Sequence, residues 1–411
     1  MLALGEKILW QRAKDYLSRY QPNLIGIAGG YNKTLTQAAI RLALGDTQSI
    51  RSIDISDNSK ASSASAILGI HPRPKKLGFT LSLVEGVRLL VGSKVGELHR
   101  YEPTTILLKL ITHKPGDMDS LAGHLPFTHA VMLNVGTSNM ELFGRQSDLA
   151  HEMMSLPLAL PPTGIAILNI DDPWTAAMAP RITRPKITYG KDPNADIRLI
   201  RADRLGLSGF SGEAAVAGRR YEFAFPHLVS RHHIEALLAA LAVVHALKGD
   251  IAHAVSRLRH IQVPRGHMNI VRGKHASTII DATADATPET ISWGLKTLAT
   301  LPASAPHSGH GEFRRIAILG DIANMGPHSL AAHQSIGQQV TAHCHVFVAV
   351  GQAMKSVQAA ALQKGGVDTH HFQDARDVGK WLAGYIQPQD MIFIAGGKEM
   401  NMQTVVEALE Q

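Results

Sequence analysis

The sequence predicts an α/β fold: a mostly parallel sheet of the phosphate-loop type with antiparallel strands at one edge, followed by a Rossmann-like α/β unit. Three observations predict it. Leu24–Thr36, LIGIAGGYNKTLT, reads as a strand running into a glycine turn and a Lys–Thr pair that opens a helix. In that layout backbone N–H groups and a lysine cradle phosphates, and a Ser/Thr hydroxyl meets Mg²⁺. Downstream, short apolar runs alternate with helical stretches, as parallel strands covered by helices do. At 411 residues the chain is also too long for one ordinary domain.

Residues 2–20 read as a helix within an N-terminal segment, 1–22, ahead of a central unit, 23–263. After the Leu24–Ala28 strand come the apolar runs Thr105–Ile111, His129–Val135, Ile165–Ile170 and Lys186–Tyr189, each of strand length. Residues 195–226 differ: short alternating segments around GLSG and AVAGRRYEF predict antiparallel strands at a sheet edge. His232–Gly249 carries apolar residues at helical spacing. The VPRG segment at 263–266 breaks the pattern and opens a C-terminal unit, 264–411. A strand pair, His267–Val271 and Ser277–Asp281, precedes a helix over Pro288–Leu298. The Pro/Ser/Gly/His stretch at 302–313 reads as a loop or linker. Strand and helix then alternate: RRIAILGD, a helix over Ser329–His343, VFVAVG, a helix over Ala353–Gln363, DTHHF, a helix over Ala375–Tyr385, MIFIAGG and a last helix.

Composition narrows the function classes. The single cysteine, Cys344, excludes an intramolecular disulfide and predicts a reducing, cytoplasmic setting. Its place between two histidines at an expected strand start gives no nucleophile signature. The N-terminus carries both charge signs and lacks the apolar core of a signal peptide, and no uncharged apolar run is long enough to span a bilayer. A net charge of +7 suits an anionic partner. The basic residues are scattered rather than blocked, which argues against nucleic acid. The adjacent pairs His232–His233 and His370–His371 point their rings apart, and His343 with His345 on one strand face lacks a third ligand, so no metal cluster is read here.

Eight segments, in order, carry a resemblance: GIAGGYNKT (26–34), KPGDM (114–118), LNVGTSNMELFG (133–144), AILNIDDP (166–173), RGHMNIVRG (265–273), IIDATADATP (279–288), AILGDIANMG (317–326) and AGGKEMNMQTVVEAL (395–409). Together they resemble the Mur ligases, specifically the MurF-like branch that adds D-alanyl-D-alanine to the UDP-MurNAc-tripeptide of peptidoglycan. The resemblance covers nearly the whole chain. It implies a central ATP-binding domain and a C-terminal Rossmann-like domain that closes over it. It implies a reaction in which ATP phosphorylates a carboxylate and an amine then attacks the acyl phosphate. Such chemistry needs a phosphate loop, metal ions and aligned substrates.

On that resemblance Gly29, Gly30, Asn32, Lys33 and Thr34 face the phosphates, with Thr34 the metal ligand if Mg²⁺ binds, and Asn169 and Asp172 lie near the adenine. Most other catalytic positions have changed. Asn32 replaces the glycine before Lys33; if that position needs a left-handed backbone, Asn is the most tolerant substitute. Lys109 stands for the acidic metal ligand, Asn139 for a histidine, Met153 for a carbamylated lysine and His267 for an arginine. The relatives' N-N-E-I-G reads Asn58, Ser59, Lys60, Ala61, Ser62, and the segment from Asp281 through Asp285 to Pro288 has lost an acid, a tyrosine and an asparagine. Ala395, Gly396 and Gly397 stand for K-G-S. One helix alone precedes Leu24, where the family carries a UDP-gripping domain, so recognition of a UDP-linked substrate is either weakened or falls to a partner.

Several features carry a plain alternative. Asp172 can simply cap a helix. Lys109 is either a drifted residue or an ammonium that replaces Mg²⁺ as the phosphate counter-ion. Three functional readings follow: a degenerate ligase that binds ATP or a cell-wall precursor and partners an active Mur ligase, an active ligase with a rearranged site, or a scaffold without ligands. ATP is the implied cofactor, and Lys109 disfavours Mg²⁺.

Overall fold

The computed structural model describes residues 2–45, 49–54, 60–69, 103–284, 286–301 and 314–411. The expected loop at 302–313, Asn58, Ser59 and Asp285 lie outside them. Among the described residues there are two sheets. The first contains β1 (Asn23–Ala28), β2 (Ile50–Asp54), β3 (Thr105–Lys109), β4 (His129–Met132), β5 (Ile165–Asn169), β6 (Lys186–Gly190), β7 (Ile197–Arg204), β8 (Phe210–Val216) and β9 (Arg219–Phe225). Its order is β2-β3-β1-β4-β5-β6-β7-β8-β9, parallel through β7 and antiparallel from β7 to β9. The second contains β10 (Asn269–Arg272), β11 (Thr278–Ala282), β12 (Arg315–Gly320), β13 (Val346–Val350), β14 (Asp368–Phe372) and β15 (Met391–Ala395) in the order β10-β11-β15-β12-β13-β14. β10 alone runs antiparallel to its neighbour.

β1 shows why the central strands read as unbroken apolar runs. Side chains alternate across a strand, so a strand covered on both faces needs apolar residues at every position. Ile25 and Ile27 enter one core with the helices Lys33–Leu44 and His233–Ala246. Leu24 and Ala28 enter the other with Leu9, Ala13 and Leu17 of the helix Leu2–Tyr20. The His233–Ala246 helix is apolar almost all round and buried almost all round, as a helix sandwiched between a sheet and another helix must be. β8, between β7 and the edge strand β9, alternates strictly between buried and half-exposed, the period-2 pattern legible in its sequence.

Cys344 departs from its expected place. It closes the Ser329–His343 helix instead of starting a strand, with its N–H donated to the Val340 carbonyl at 3.2 Å. It is buried, and that burial pushes its thiol up to about 12. His343 likewise ends that helix rather than sharing a strand with His345.

All parallel strands of the first sheet end on one side. The chain leaves β1 for β2 and β3 on one flank and returns to β4 on the other, so the crevice at the carboxyl ends of β1, β3 and β4 is the topological switch point, where open α/β sheets place ligands. Loops of the second sheet reach this crevice: the Glu141 N–H donates to the Asn324 carbonyl at 3.0 Å, and His328 Nε2 lies 2.7 Å from the Gly144 carbonyl oxygen.

Candidate functional site

The glycine turn after β1 is shaped by its neighbours in the sheet. A Cβ on Gly29 would come within 2.9 Å of the Leu133 Cβ, and one on Gly30 within 2.7 Å of the Val135 carbonyl oxygen. Both glycines are therefore needed for the loop to lie against the end of β4. Asn134 fastens it: its Oδ1 accepts the N–H groups of Gly30 at 3.0 Å and Tyr31 at 3.1 Å. Asn32 has φ 63° and ψ 1°, the left-handed conformation its chemistry permits. Its side-chain amide donates to the His232 carbonyl at 2.9 Å.

The helix Lys33–Leu44 starts immediately afterwards. Lys33 Nζ folds back onto the Gly29 carbonyl and reaches that of Gly30 at 3.5 Å. Thr34 Oγ1 accepts a hydrogen bond from Lys109 Nζ at 3.1 Å. Lys109 is the last residue of β3 and pairs in register with Ile27 of β1 and Asp54 of β2, so its side chain leaves the sheet where the phosphate-type loop begins.

The other altered positions converge on the same place. Asn139 is also left-handed, at φ 58°, and its amide donates to the Thr112 carbonyl at 2.8 Å, tying the loop after β4 to the loop after β3. Met153 projects from the helix Gln146–Leu158 and is buried. His267 precedes β10 in a segment pinned by Asp281, whose carboxylate accepts the Gly266 and Thr283 N–H groups at 3.0 and 3.1 Å and the Thr283 hydroxyl at 2.7 Å. Gly29, Gly30, Lys33, Thr34, Lys109, Asn139, Met153 and His267 all line one cleft of about 450 Å³, closed on its far side by Asn324 and Glu399 from the second sheet's loops.

Three candidates fall outside that lining: Asn32, Asn169 and Asp172. Asn169 Oδ1 accepts the Asp171 N–H at 3.0 Å. Asp172 caps the Pro173–Met178 helix, accepting the Thr175 N–H at 2.8 Å, and its other oxygen accepts the Val135 N–H at 3.3 Å. Both side chains hold turns beside the cleft.

Sequence reasoning missed a second group of residues. Trp293, on the helix Pro288–Thr300, stacks on His232 with centroids 4.4 Å apart and meets Tyr31 edge-on at 4.5 Å. Thr297 Oγ1 donates to Ser230 Oγ at 3.1 Å across the same seam. Nearby, Lys191 Nζ lies 3.9 Å from Asp171 and 4.0 Å from Glu235. Burial raises the Glu235 carboxyl to about 7, with Asp171 and Asp172 adding to the rise and Lys191 opposing it. A tryptophan one residue before a buried glycine was the one available signal, and periodicity does not say what such a ring faces. Among the described residues, no group of three His, Cys, Asp or Glu side chains is placed to hold a metal ion. No described helix is long and apolar enough to cross a membrane.

Comparison with known proteins agrees with this architecture. The Mur ligase middle-domain model matches residues 91–244, and the Mur ligase glutamate ligase domain model matches residues 266–397. The UDP-N-acetylmuramoyl-tripeptide–D-alanyl-D-alanine ligase of Mycobacterium leprae is 25% identical over 324 residues, 74% of this chain and 63% of that one. This chain thus spans less than two thirds of that relative's length. The ligase of the same description from Synechocystis is 22% identical over 398 residues, 97% of this chain and 76% of that one. In fold, the MurF ligase of Thermotoga maritima, solved in complex with ADP, superposes with a TM-score of 0.79 at 17% identity, over 98% of this chain and 83% of that one. A MurF structure from Acinetobacter baumannii gives 0.78 at 19% identity, over 98% and 80%.

Proposed function

Since the chain belongs to the Mur ligase family, we propose that it serves peptidoglycan precursor synthesis in the cytoplasm as a MurF-like homologue with weak or no ligase turnover. It binds ATP or the diphosphate of a UDP-linked precursor at the Lys33–Thr34 cleft and acts as a partner of an active Mur ligase. The observation that carries this reading is the 3.1 Å hydrogen bond from Lys109 to Thr34. ATP-dependent ligation places Mg²⁺ on that hydroxyl. A divalent cation about 4 Å from an ammonium is repelled by roughly 8 kcal/mol at an effective dielectric near 20, twice the unit-charge figure. The other altered positions offer little compensation. Asn139, its NH₂ group donated to the Thr112 carbonyl, offers at most a neutral amide oxygen, and Met153 supplies a neutral thioether, a poor ligand for a hard cation that takes oxygen. The residues present do not suit Mg²⁺.

The test is phosphate release from ATP with Mg²⁺, UDP-MurNAc-tripeptide and D-Ala-D-Ala, run beside an active ligase. Turnover is expected to be at least about a hundredfold lower, the order of loss when a group stabilising the reacting charge is removed. Release at a rate matching the active ligase overturns the reading.

A further inference from the structure

We infer that the Lys109 ammonium takes the place of the divalent cation, so that the cleft accepts the phosphate chain of a nucleoside di- or triphosphate without metal. This rests on the nucleotide-binding reading above and specifies its electrostatics. In a phosphate loop the threonine hydroxyl marks where the cation sits. Here that hydroxyl is engaged by Lys109 Nζ, so a positive charge already occupies the cation's neighbourhood, delivered by β3 and fixed by its register with β1.

The charge balance of the cleft agrees. Lys33 and Lys109 both line it, with His113 and His267, and Glu399 is its one acidic lining residue among those described. Three nearby carboxylates among the described side chains are committed to backbone donors. Asp172 caps a helix, Asp281 pins the Gly266 turn, and Asp321 accepts the Ala353 and Met354 N–H groups at 3.1 and 2.8 Å. The cleft therefore has cationic donors for an anion, while among the described residues its oxygen donors are neutral hydroxyls and amides apart from Glu399. Lys33 already meets the Gly29 and Gly30 carbonyls at the mouth of the loop, within reach of a phosphate bound there. Charge-assisted bonds to phosphate are roughly twice as strong as neutral ones, and the Lys33–Leu44 helix adds its amino-terminal field.

Isothermal titration of the full chain with ADP, in excess EDTA and in excess Mg²⁺, tests this. UDP-N-acetylglucosamine and inorganic pyrophosphate serve as parallel arms, to tell an adenine nucleotide from a UDP-linked ligand and both from phosphate alone. The dissociation constant for the preferred ligand is expected to change by less than about threefold between the two conditions, because no charge is missing. Lys109→Met is expected to weaken binding in EDTA by about tenfold or more, and Lys109→Arg to keep it. Lys109→Glu is expected to make binding depend on Mg²⁺. Circular dichroism melts of each variant establish folding, and Lys109→Arg remains informative if Lys109→Met fails to fold. Wild-type binding at least tenfold tighter with Mg²⁺, or Lys109→Met binding unchanged in EDTA, overturns this inference and leaves the nucleotide reading standing. Failure of all three ligands to bind under both conditions overturns both.

Discussion

Gly294→Ala is expected to destabilise the protein by about 2 kcal/mol, although alanine is the better helix former by about 1 kcal/mol. Gly294 lies inside the helix Pro288–Thr300, buried against β15, and a Cβ there would come within 1.9 Å of the Phe393 Cζ. That ring is fully buried on a strand flanked by β11 and β12, so it has no room to retreat. Overpacking of this kind costs about 1–3 kcal/mol and occasionally more, which outweighs the propensity gain. Urea unfolding followed by circular dichroism should show a lower midpoint for the variant. A raised midpoint would mean that the helix can slide off the sheet, and the packing argument would fall.

Glu235→Gln is expected to stabilise the protein above neutral pH and to change little near pH 5. The Glu235 carboxyl titrates near 7 in the folded chain because burial disfavours its charge, against an ordinary value near 4.5 when unfolded. Between those values the folded state holds a proton that the unfolded state has released. The associated stability is present in full below the unfolded value and is lost as pH rises through the folded one. Since 17% of the side chain is exposed, the loss is about 2 kcal/mol, below the full linkage figure for such a shift. Glutamine has no proton to lose. The difference in melting temperature, variant minus wild type, should therefore grow from near zero at about pH 5 to about 4 °C at about pH 8. The buried imidazoles of His129 and His233, pushed down to about 4 and about 3 by burial, act with the opposite sign. Their stability is lost as pH falls through those values, and both proteins share it, so the difference curve isolates Glu235. A flat difference curve would contradict the burial of its charge.

The parts of the fold that were legible are those whose signals are local. The helices Ser329–His343 and Ala375–Tyr385 and the strand Asp368–Phe372 match their expected bounds. For Ala375–Tyr385 the start is set by Asp374 capping the Arg376 N–H. The left-handed Asn32 was legible for the same reason, because side-chain chemistry and backbone preference meet in one residue. The helices Asp117–His124, Gln146–Leu158 and Ile251–Leu258 did not stand out beside the apolar runs. Within the site, the convergence of Lys109, Asn139, Met153 and His267 on one cleft followed from motif order. Asn134 could not be found that way, since the amides it holds lie more than a hundred residues earlier. The stacking of Trp293 on His232 is equally non-local. The first contact exists only once β1 and β4 have paired, the second only once the two sheets have formed and met.

Asn134 bears on how fast a ligand can be captured. Because it grips the Gly30 and Tyr31 amides through the fold itself, the turn's wandering is quenched before any guest arrives. An encounter then needs no loop rearrangement, and its rate is set by diffusion and the attraction of the two lysines. In deuterium exchange those two amides should stay silent when a guest docks, while amides at the start of the Lys33–Leu44 helix respond.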